Sequence, residues 1–333
     1  NNQGYDIHFL HHFLLSGAVK NAAEGVNFLS LLNKPNRNKN IHQFVDSRIS
    51  LSVIMSVLKA YFWIKLPVRK AKYFFVSDKS KLNLWSILAH DWKSSVYGYT
   101  VFQNLLWIEL IEKYFCQTTK YKIGFYLLEN QGWERAFVHS WRRNGHGTLI
   151  GIQHGMVREW DIRYFNFESN IKHNGAKIFH IPEPDFYAIN GPAAWNILAN
   201  SNLPIIKMVS SEAVRYNVLR DSLFHSSTIP HDNDVLLLGD YNMAITLKML
   251  DTIREATMSL DRNFCFTLKC HPACSVDISP FQTKMNISLT ENQLYKILPK
   301  YRYVIGTGAT TATVDAYISG AEVLVFLEKD NVN

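Results

Sequence analysis

The sequence is poor in cysteine and shows no pattern of metal ligands. Its 333 residues include four cysteines, three of which lie close together at Cys265, Cys270 and Cys274. His271 stands among them, but its spacing to the cysteines matches no familiar zinc-binding pair, and no second pair lies elsewhere in the chain. We therefore predict no metal centre, and thiols that stay reduced in the cytosol.

Long uncharged apolar runs are also absent. The most apolar stretch, 51–66, is shorter than the roughly 20 residues that a membrane-spanning helix needs, and Lys59 interrupts it. This favours a buried or interfacial helix. The basic stretch PVRKAK that follows permits contact with a membrane surface. Since no stretch reads as a signal peptide, we predict a cytoplasmic protein and leave open a peripheral contact with the inner membrane.

Acidic residues are fewer than basic residues, and this difference indicates the charge of the partner. Lysine and arginine together number 35 and aspartate and glutamate 28, so the formal net charge is +7. This excess suggests an anionic partner such as a nucleotide, a nucleic acid or a lipid surface. The basic residues are dispersed and no nucleic-acid recognition motif is present, so we predict no nucleic-acid partner.

Apolar runs bounded by turn residues alternate with helical segments, which predicts an α/β fold. Residues 72–77, 123–130 and 148–155 read as buried strands, and the segment between the last two places its large apolar side chains on one helical face. A strand–helix–strand unit of this length implies a parallel sheet. A second series of strands and helices begins near residue 235.

We predict an N-terminal domain at 1–220, a polar linker at 221–234 and a C-terminal domain at 235–333. The chain begins without methionine and stops in what reads as a loop, so we expect it to be a piece of a longer protein, cut within the C-terminal domain. Open parallel sheets bind ligands at the carboxyl ends of their strands. Two such domains that face each other offer both edges to one ligand.

The segment 301–318, YVIGTGATTATVDAYISG, starts as a buried strand and ends as a helix, with a glycine- and threonine-rich turn between them. Glycines let a ligand approach the backbone, while helix amides and threonine hydroxyls can donate to phosphate oxygens. The turn is neither a Walker loop nor GxGxxG. Its interpretation is open between a phosphate site and a turn that merely caps a helix. The candidate residues are Thr307, Gly308, Thr310 and Thr311.

Polar residues also end other predicted strands. His271 is held in a turn by Pro272, and Lys269 lies two residues earlier on the same side of its strand. Asp240 and Glu129 each end a strand, where a carboxylate can serve as a base or cap the following helix; Asp240 can also be a nucleophile.

A second histidine motif, GIQHG, places His154 at the end of a predicted strand in the N-terminal half. Arg158 and Arg163 follow it. Each of these strand-end residues could instead have a purely structural role in a turn or as a helix cap. Together, however, these polar groups predict a single ligand cleft.

These motifs resemble those of glycosyltransferases that use CMP-activated acidic sugars, namely bacterial sialyltransferases and Kdo transferases. The similar features are His271–Pro272 and, some thirty-five residues later, the turn from Thr307 to Thr311 followed by VDAYISG. The stretches YLLENQGWERAF and GIQHG resemble bacterial surface-carbohydrate biosynthesis proteins related to the β-Kdo transferases. The resemblance touches about residues 85–330.

The resemblance implies a GT-B fold, with the acceptor in the N-terminal domain and the nucleotide in the C-terminal domain. It implies that His271 contacts the CMP phosphate or the donor sugar, and that the threonine turn holds the phosphate. It places Gly239 near the cytosine and Asp315 near the ribose. The sugar carboxylate needs cations, for which the candidates are Arg135, Arg158, Arg163 and Lys269. Because CMP is a good leaving group, we predict no cofactor or metal beyond the CMP-sugar donor.

The sequence departs from the family pattern in its threonines, where serines are common, and in Ala309, which interrupts the hydroxyl run. It also lacks the Asp/Glu-Asp/Glu-Gly motif that several sialyltransferases use for their base. The key carboxylate is therefore open between Glu129 and Asp240, with His154 as a further catalytic candidate. Inversion or retention of the sugar configuration is open as well.

The predicted function is transfer of Kdo or a nonulosonic acid (sialic, legionaminic or pseudaminic) from CMP onto a bacterial surface polysaccharide, such as lipopolysaccharide or capsule. A glycan or lipid-linked glycan is the expected acceptor. Two alternatives on the same fold are a CDP-alcohol phosphotransferase, although the turn lacks its DYSS pattern, and a UDP-sugar enzyme such as an epimerase. An alternative of another class is a non-catalytic basic module that binds anionic glycan or lipid.

Overall fold

The protein is described here by a computed structural model. The structure describes residues 6–13, 19–34, 40–68, 83, 85–157, 164, 181–201, 203–213, 231–260, 262–308 and 310–327, with the side chains of 65–68 outside this description. Its contacts divide the chain into two compact units. The first unit comprises 1–154 and 167–188, and the second comprises 155–166 and 189–333.

The first unit begins with two parallel strands, which pair from Ile7–Asn40 to His11–Phe44. A group of helices follows, in which α2 and α3 both pack on α4. The elements are β1 (Ile7–His11), α1 (Ala22–Leu32), β2 (Asn40–Phe44), α2 (Leu51–Val68), α3 (Trp85–Tyr97) and α4 (Tyr99–Gln117).

The predicted strand–helix–strand unit is confirmed in the first unit. It consists of β3 (Ile123–Leu128), α5 (Gly132–Arg143) and β4 (Thr148–Gln153), and β5 (Phe186–Ile189) extends the sheet on the far side of β4. All three strands are parallel. The strand predicted at 72–77 lies outside the described residues.

Packing of α5 on this sheet depends on one tryptophan. Trp141 is buried and donates from Nε1 to the carbonyl of Gly147 at 2.7 Å. Its ring lies where a side chain on Gly124 of β3 would stand. The absence of a side chain at residue 124 therefore allows the helix to lie close to the strand.

The second unit contains α6 (Pro192–Asn200), β6 (Met208–Ser210), β7 (Asp234–Leu238), α7 (Met243–Thr257), β8 (Cys265–Lys269), α8 (Ser279–Gln282), β9 (Asn286–Leu289), α9 (Leu294–Ile297), β10 (Tyr303–Thr307), α10 (Ala312–Ile318) and β11 (Glu322–Phe326). Five of its strands form a sheet in the order β11-β10-β7-β8-β9. Every neighbouring pair in that sheet is parallel.

Strand β7 lies at the centre of this sheet, and from Val235 to Leu238 it is apolar because both of its faces are covered. Val235 and Leu237 pack with Met249 and Leu250 of α7 on one face. Leu236 and Leu238 pack with a second cluster on the other face. The predicted α/β fold with two parallel sheets is confirmed, whereas the common cleft and the domain boundaries at 220 and 235 stay predictions. Most of the predicted linker, 221–230, lies outside the described residues.

The helix predicted at 51–66 is α2. Among the described residues no helix combines the length and apolarity needed to cross a membrane. Helix α2 buries Val53 and Val57 only on one side, so much of its apolar surface is exposed.

Candidate functional site

The carboxyl ends of β7, β8 and β10 meet at one edge of the second unit's sheet. Leu238 of β7 is in register with Lys269 of β8 on one side and with Gly306 of β10 on the other. The residues that follow each strand therefore come together at this edge. Open parallel sheets bind ligands at this position, and we call it the β7–β10 edge.

A buried hydrogen bond joins two of the strand ends at the β7–β10 edge. Thr307 donates from Oγ1 to Oδ2 of Asp240 at 2.5 Å, and the other carboxylate oxygen accepts the backbone N–H of Asn242 at 2.8 Å. The backbone N–H of Asp240 donates to Thr246 at 2.8 Å. Only 1% of Asp240 is exposed. The arrangement braces the strands, and catalysis by Asp240 and ligand binding by Thr307 stay predictions.

His271 is oriented by the turn that follows β8. Its Nδ1 accepts the backbone N–H of Ala273 at 3.1 Å, and Cys274 closes the turn by donating to the carbonyl of His271 at 2.9 Å. In a neutral imidazole whose Nδ1 accepts, the proton is carried by Nε2. This nitrogen can donate to a ligand oxygen.

Tyr241 is a residue at this edge that the sequence did not single out. It follows Asp240 directly, its side chain is 64% exposed, and its ring stands edge-on to His271 at 6.4 Å. Asn242 next to it caps α7 by accepting the N–H of Ala244. The only signal in the sequence was an aromatic residue between a strand-ending aspartate and a capping asparagine.

Two further predicted residues lie at this edge. Lys269 donates from Nζ to the backbone carbonyl of Glu291 at 3.1 Å, which holds its ammonium group beside the residues that follow β9. Gly239 is buried and continues the ladder by donating to the carbonyl of Lys269 at 3.0 Å. Both positions are compatible with a ligand at the strand ends.

One of the threonine hydroxyls in the turn after β10 caps the start of α10. Thr310 accepts the N–H of Ala312 at 3.2 Å, so its hydroxyl has a capping role. Gly308 donates to the carbonyl of Phe326 at 3.3 Å. Thr311 is the residue before the helix, and Asp315 lies in its first turn. Phosphate binding by this turn stays a prediction.

In the first unit the structure brings two predicted catalytic residues together. Glu129 follows β3 and His154 follows β4, and Oε1 of the glutamate lies 3.8 Å from Nε2 of the histidine. Both side chains are a little less than half exposed. A carboxylate beside an exposed imidazole can receive or orient a proton.

Glu134 organises the turn that carries Glu129, and the sequence analysis did not identify it. This buried carboxylate accepts the backbone N–H groups of Glu129, Asn130 and Gln131 at 2.9–3.0 Å. Asn130 has a left-handed backbone with φ of 56°, which asparagine tolerates better than most residues. Burial raises the pKa of Glu134, and the three N–H bonds offset this rise only in part. The signal was a capping box, with a glutamate three residues after Gln131.

Of the three arginines predicted to bind the sugar carboxylate, the structure describes one. Arg135 donates to the carbonyl of Pro182 at 2.9 Å and to the side chain of Asn130 at 3.1 Å, so it supports the same turn. Arg158 and Arg163 lie outside the described residues.

Among the described residues no three His, Cys, Asp or Glu side chains cluster as metal ligands. The predicted independence of metal stays a prediction.

Comparisons with known proteins leave the family open. No protein-family model matches the chain. No curated protein matches it in sequence. Among solved structures it is similar to the UDP-N-acetylglucosamine 2-epimerase from Rickettsia bellii, with a TM-score of 0.45 and 14% identity over 68% of this chain and 61% of that one. The chain thus spans less than two thirds of that enzyme's length. A likeness this distant carries no argument, so function is inferred from the residues themselves.

Replacing Thr307 by valine tests the brace at the β7–β10 edge. We expect Thr307→Val to lower the free energy of unfolding by about 1.5–3 kcal/mol, because a buried carboxylate oxygen loses its donor. Thr307→Ser keeps the hydroxyl and serves as the control. The measurement is denaturant unfolding at neutral pH. Equal stability of the two variants would contradict the assignment of the bond.

The pH dependence of stability tests Glu134. Because its pKa is raised above the ordinary 4.5 in the folded protein, the folded state holds this proton more tightly than the unfolded chain. As pH rises from below 4.5 through the raised pKa, the wild type should lose stability relative to Glu134→Gln, which does not titrate. Denaturant unfolding of both proteins at pH 4 and pH 7 measures this difference. A gain instead of a loss would show that the three N–H bonds outweigh burial.

Proposed function

We propose that the β7–β10 edge binds CMP and that the protein is a glycosyltransferase of CMP-activated acidic sugars. The observation that carries the proposal is the pair at this edge, a histidine whose Nε2 is free to donate beside an exposed tyrosine. Phosphate oxygens accept from the imidazole N–H, and a pyrimidine ring can stack on the aromatic face. Lys269 adds a positive charge to the same edge.

In this proposal the leaving CMP phosphate gains negative charge as the sugar bond breaks. His271 stabilises that charge by donating from Nε2. The turn from Thr307 to Thr311 is proposed to approach the phosphate from the other side. Because the Thr307 hydroxyl donates to Asp240 and the Gly308 N–H to Phe326, we assign this contact to the hydroxyls of Thr310 and Thr311. The Asp240–Thr307 bond acts on catalysis only by fixing where β7 and β10 end.

The pair Glu129–His154 is proposed to activate the acceptor. Glu129 takes the proton of the attacking hydroxyl and becomes neutral, and His154, 3.8 Å from its carboxylate, orients that carboxylate for the transfer. Because the carboxylate of Asp240 is buried and both of its oxygens already accept hydrogen bonds, we assign the base to Glu129 and propose direct, inverting displacement.

The net positive charge of the chain supports an acidic sugar as the transferred group. Kdo and the nonulosonic acids carry a carboxylate, which Arg135, Arg158 and Arg163 are proposed to bind. We propose a surface glycan or a lipid-linked glycan as the acceptor. Transfer then takes place in the cytoplasm, at or near the inner membrane.

Thermal unfolding with CMP, CDP, UMP and UDP tests the nucleotide site. A ligand at about 100 times its dissociation constant adds roughly 2.7 kcal/mol to stability, which raises Tm by a few degrees. We expect CMP to give the largest rise in the wild type. His271→Ala should lose most of that rise, whereas His90→Ala, an exposed histidine of α3, should keep it.

The other outcomes decide between alternatives. A larger rise with CDP would favour a CDP-alcohol phosphotransferase, and a larger rise with UDP would favour a UDP-sugar enzyme. No rise with any of the four nucleotides would contradict the proposal and leave the threonine turn as a helix cap.

A further inference from the structure

The solvent-exposed side of α2 is apolar. Met55, Phe62 and Trp63 are 58%, 63% and 67% exposed. Leu51, Ile54 and Leu58 are exposed on the same helix. We call these six residues the α2 face. An apolar patch of this kind on a folded protein marks an interaction site.

A groove continues the α2 face towards α4. It encloses about 340 Å³ and is lined by Ile54 and Leu58 of α2 together with Tyr99, Phe102 and Leu106 of α4. Tyr61 stacks on Phe102 with ring centroids 4.3 Å apart, which holds the two helices together beside the groove. The exposed apolar surface therefore has a depression that apolar chains can enter.

The charge of α2, and of the sequence that follows it, is almost entirely positive. Residues 51–68 contain no aspartate or glutamate, and Lys59 is exposed beside Phe62 and Trp63. In the sequence from 59 to 81 there are seven lysines and arginines and one acidic residue, Asp78. A helix without acidic residues that exposes apolar and aromatic side chains, and whose sequence continues into a basic stretch, is typical of helices that lie in the surface of an anionic membrane.

We propose that the α2 face and its groove bind the surface of an anionic lipid bilayer. Phe62, Trp63 and Met55 enter the boundary between head groups and acyl chains, where tryptophan is favoured. Lys59 contacts lipid phosphates. A second copy of this chain fits the surface less well, because a twofold interface at α2 brings Lys59 of both copies together. The inference is independent of the nucleotide site.

Cosedimentation with lipid vesicles tests the proposal without any nucleotide. The vesicles are pure phosphatidylcholine, or phosphatidylcholine with about one third phosphatidylglycerol. We expect the wild type to bind the anionic vesicles and to bind less as salt rises. The variant Phe62→Glu/Trp63→Glu should lower the partition coefficient at least about tenfold, because two apolar side chains no longer enter the bilayer.

A matched control carries the same substitution in the second unit. Met258→Glu/Leu260→Glu changes two residues that are 75% and 52% exposed after α7, and we expect it to bind like the wild type. Met55→Glu is a second test on the α2 face and should also weaken binding. Thermal unfolding of each variant separates lost binding from lost folding.

Two outcomes overturn the proposal. One is a wild type that does not bind anionic vesicles. If light scattering then shows a dimer that Phe62→Glu/Trp63→Glu converts to a monomer, the α2 face is an interface between two copies of the chain. The other is binding that survives all substitutions on the α2 face. Because vesicle binding and the CMP-dependent rise in Tm are separate readouts, failure of one leaves the other unaffected.

Discussion

The hydrogen bond from Thr307 to Asp240 is the constraint on which the β7–β10 edge depends. It ties together the ends of two central strands in a place that water does not reach. The other oxygen of Asp240 holds the backbone that leads to Asn242, so Tyr241 is fixed between two anchored residues. A ligand at this edge meets side chains whose positions are set before it arrives, which reduces the ordering cost of binding.

In the first unit, a buried carboxylate likewise fixes the backbone at the end of β3. There Glu134 accepts three backbone N–H groups and fixes the turn that presents Glu129 towards His154. In both units a buried carboxylate that is not itself available to a ligand shapes the turn. Exposed residues next to the turn carry the chemistry that we propose. Burial and hydrogen bonding thus separate positioning residues from residues that can react.

The sequence predicted the strands that end at the candidate residues, because buried parallel strands are short apolar runs bounded by turn residues. It did not identify β1, β2 or β9. It could not predict which of these residues face a ligand. Asp240 and Glu129 read alike in sequence, and they are separated only by the burial of Asp240 and by the hydrogen bonds that both of its oxygens accept. Tyr241 was missed because its exposure depends on neighbours distant in sequence. Glu134, in contrast, has a local signal, the capping box with Gln131, which the sequence analysis did not use. For α2 the helix was predicted, but the sequence left burial and exposure equally open.

The most direct test of the central claim is a crystal structure of the chain with CMP. The account predicts the phosphate within hydrogen-bond distance of Nε2 of His271 and of the turn after β10, with the cytosine ring against Tyr241. It also predicts that the Thr307–Asp240 bond is unchanged by the ligand. Well-ordered CMP bound away from the β7–β10 edge would contradict the account.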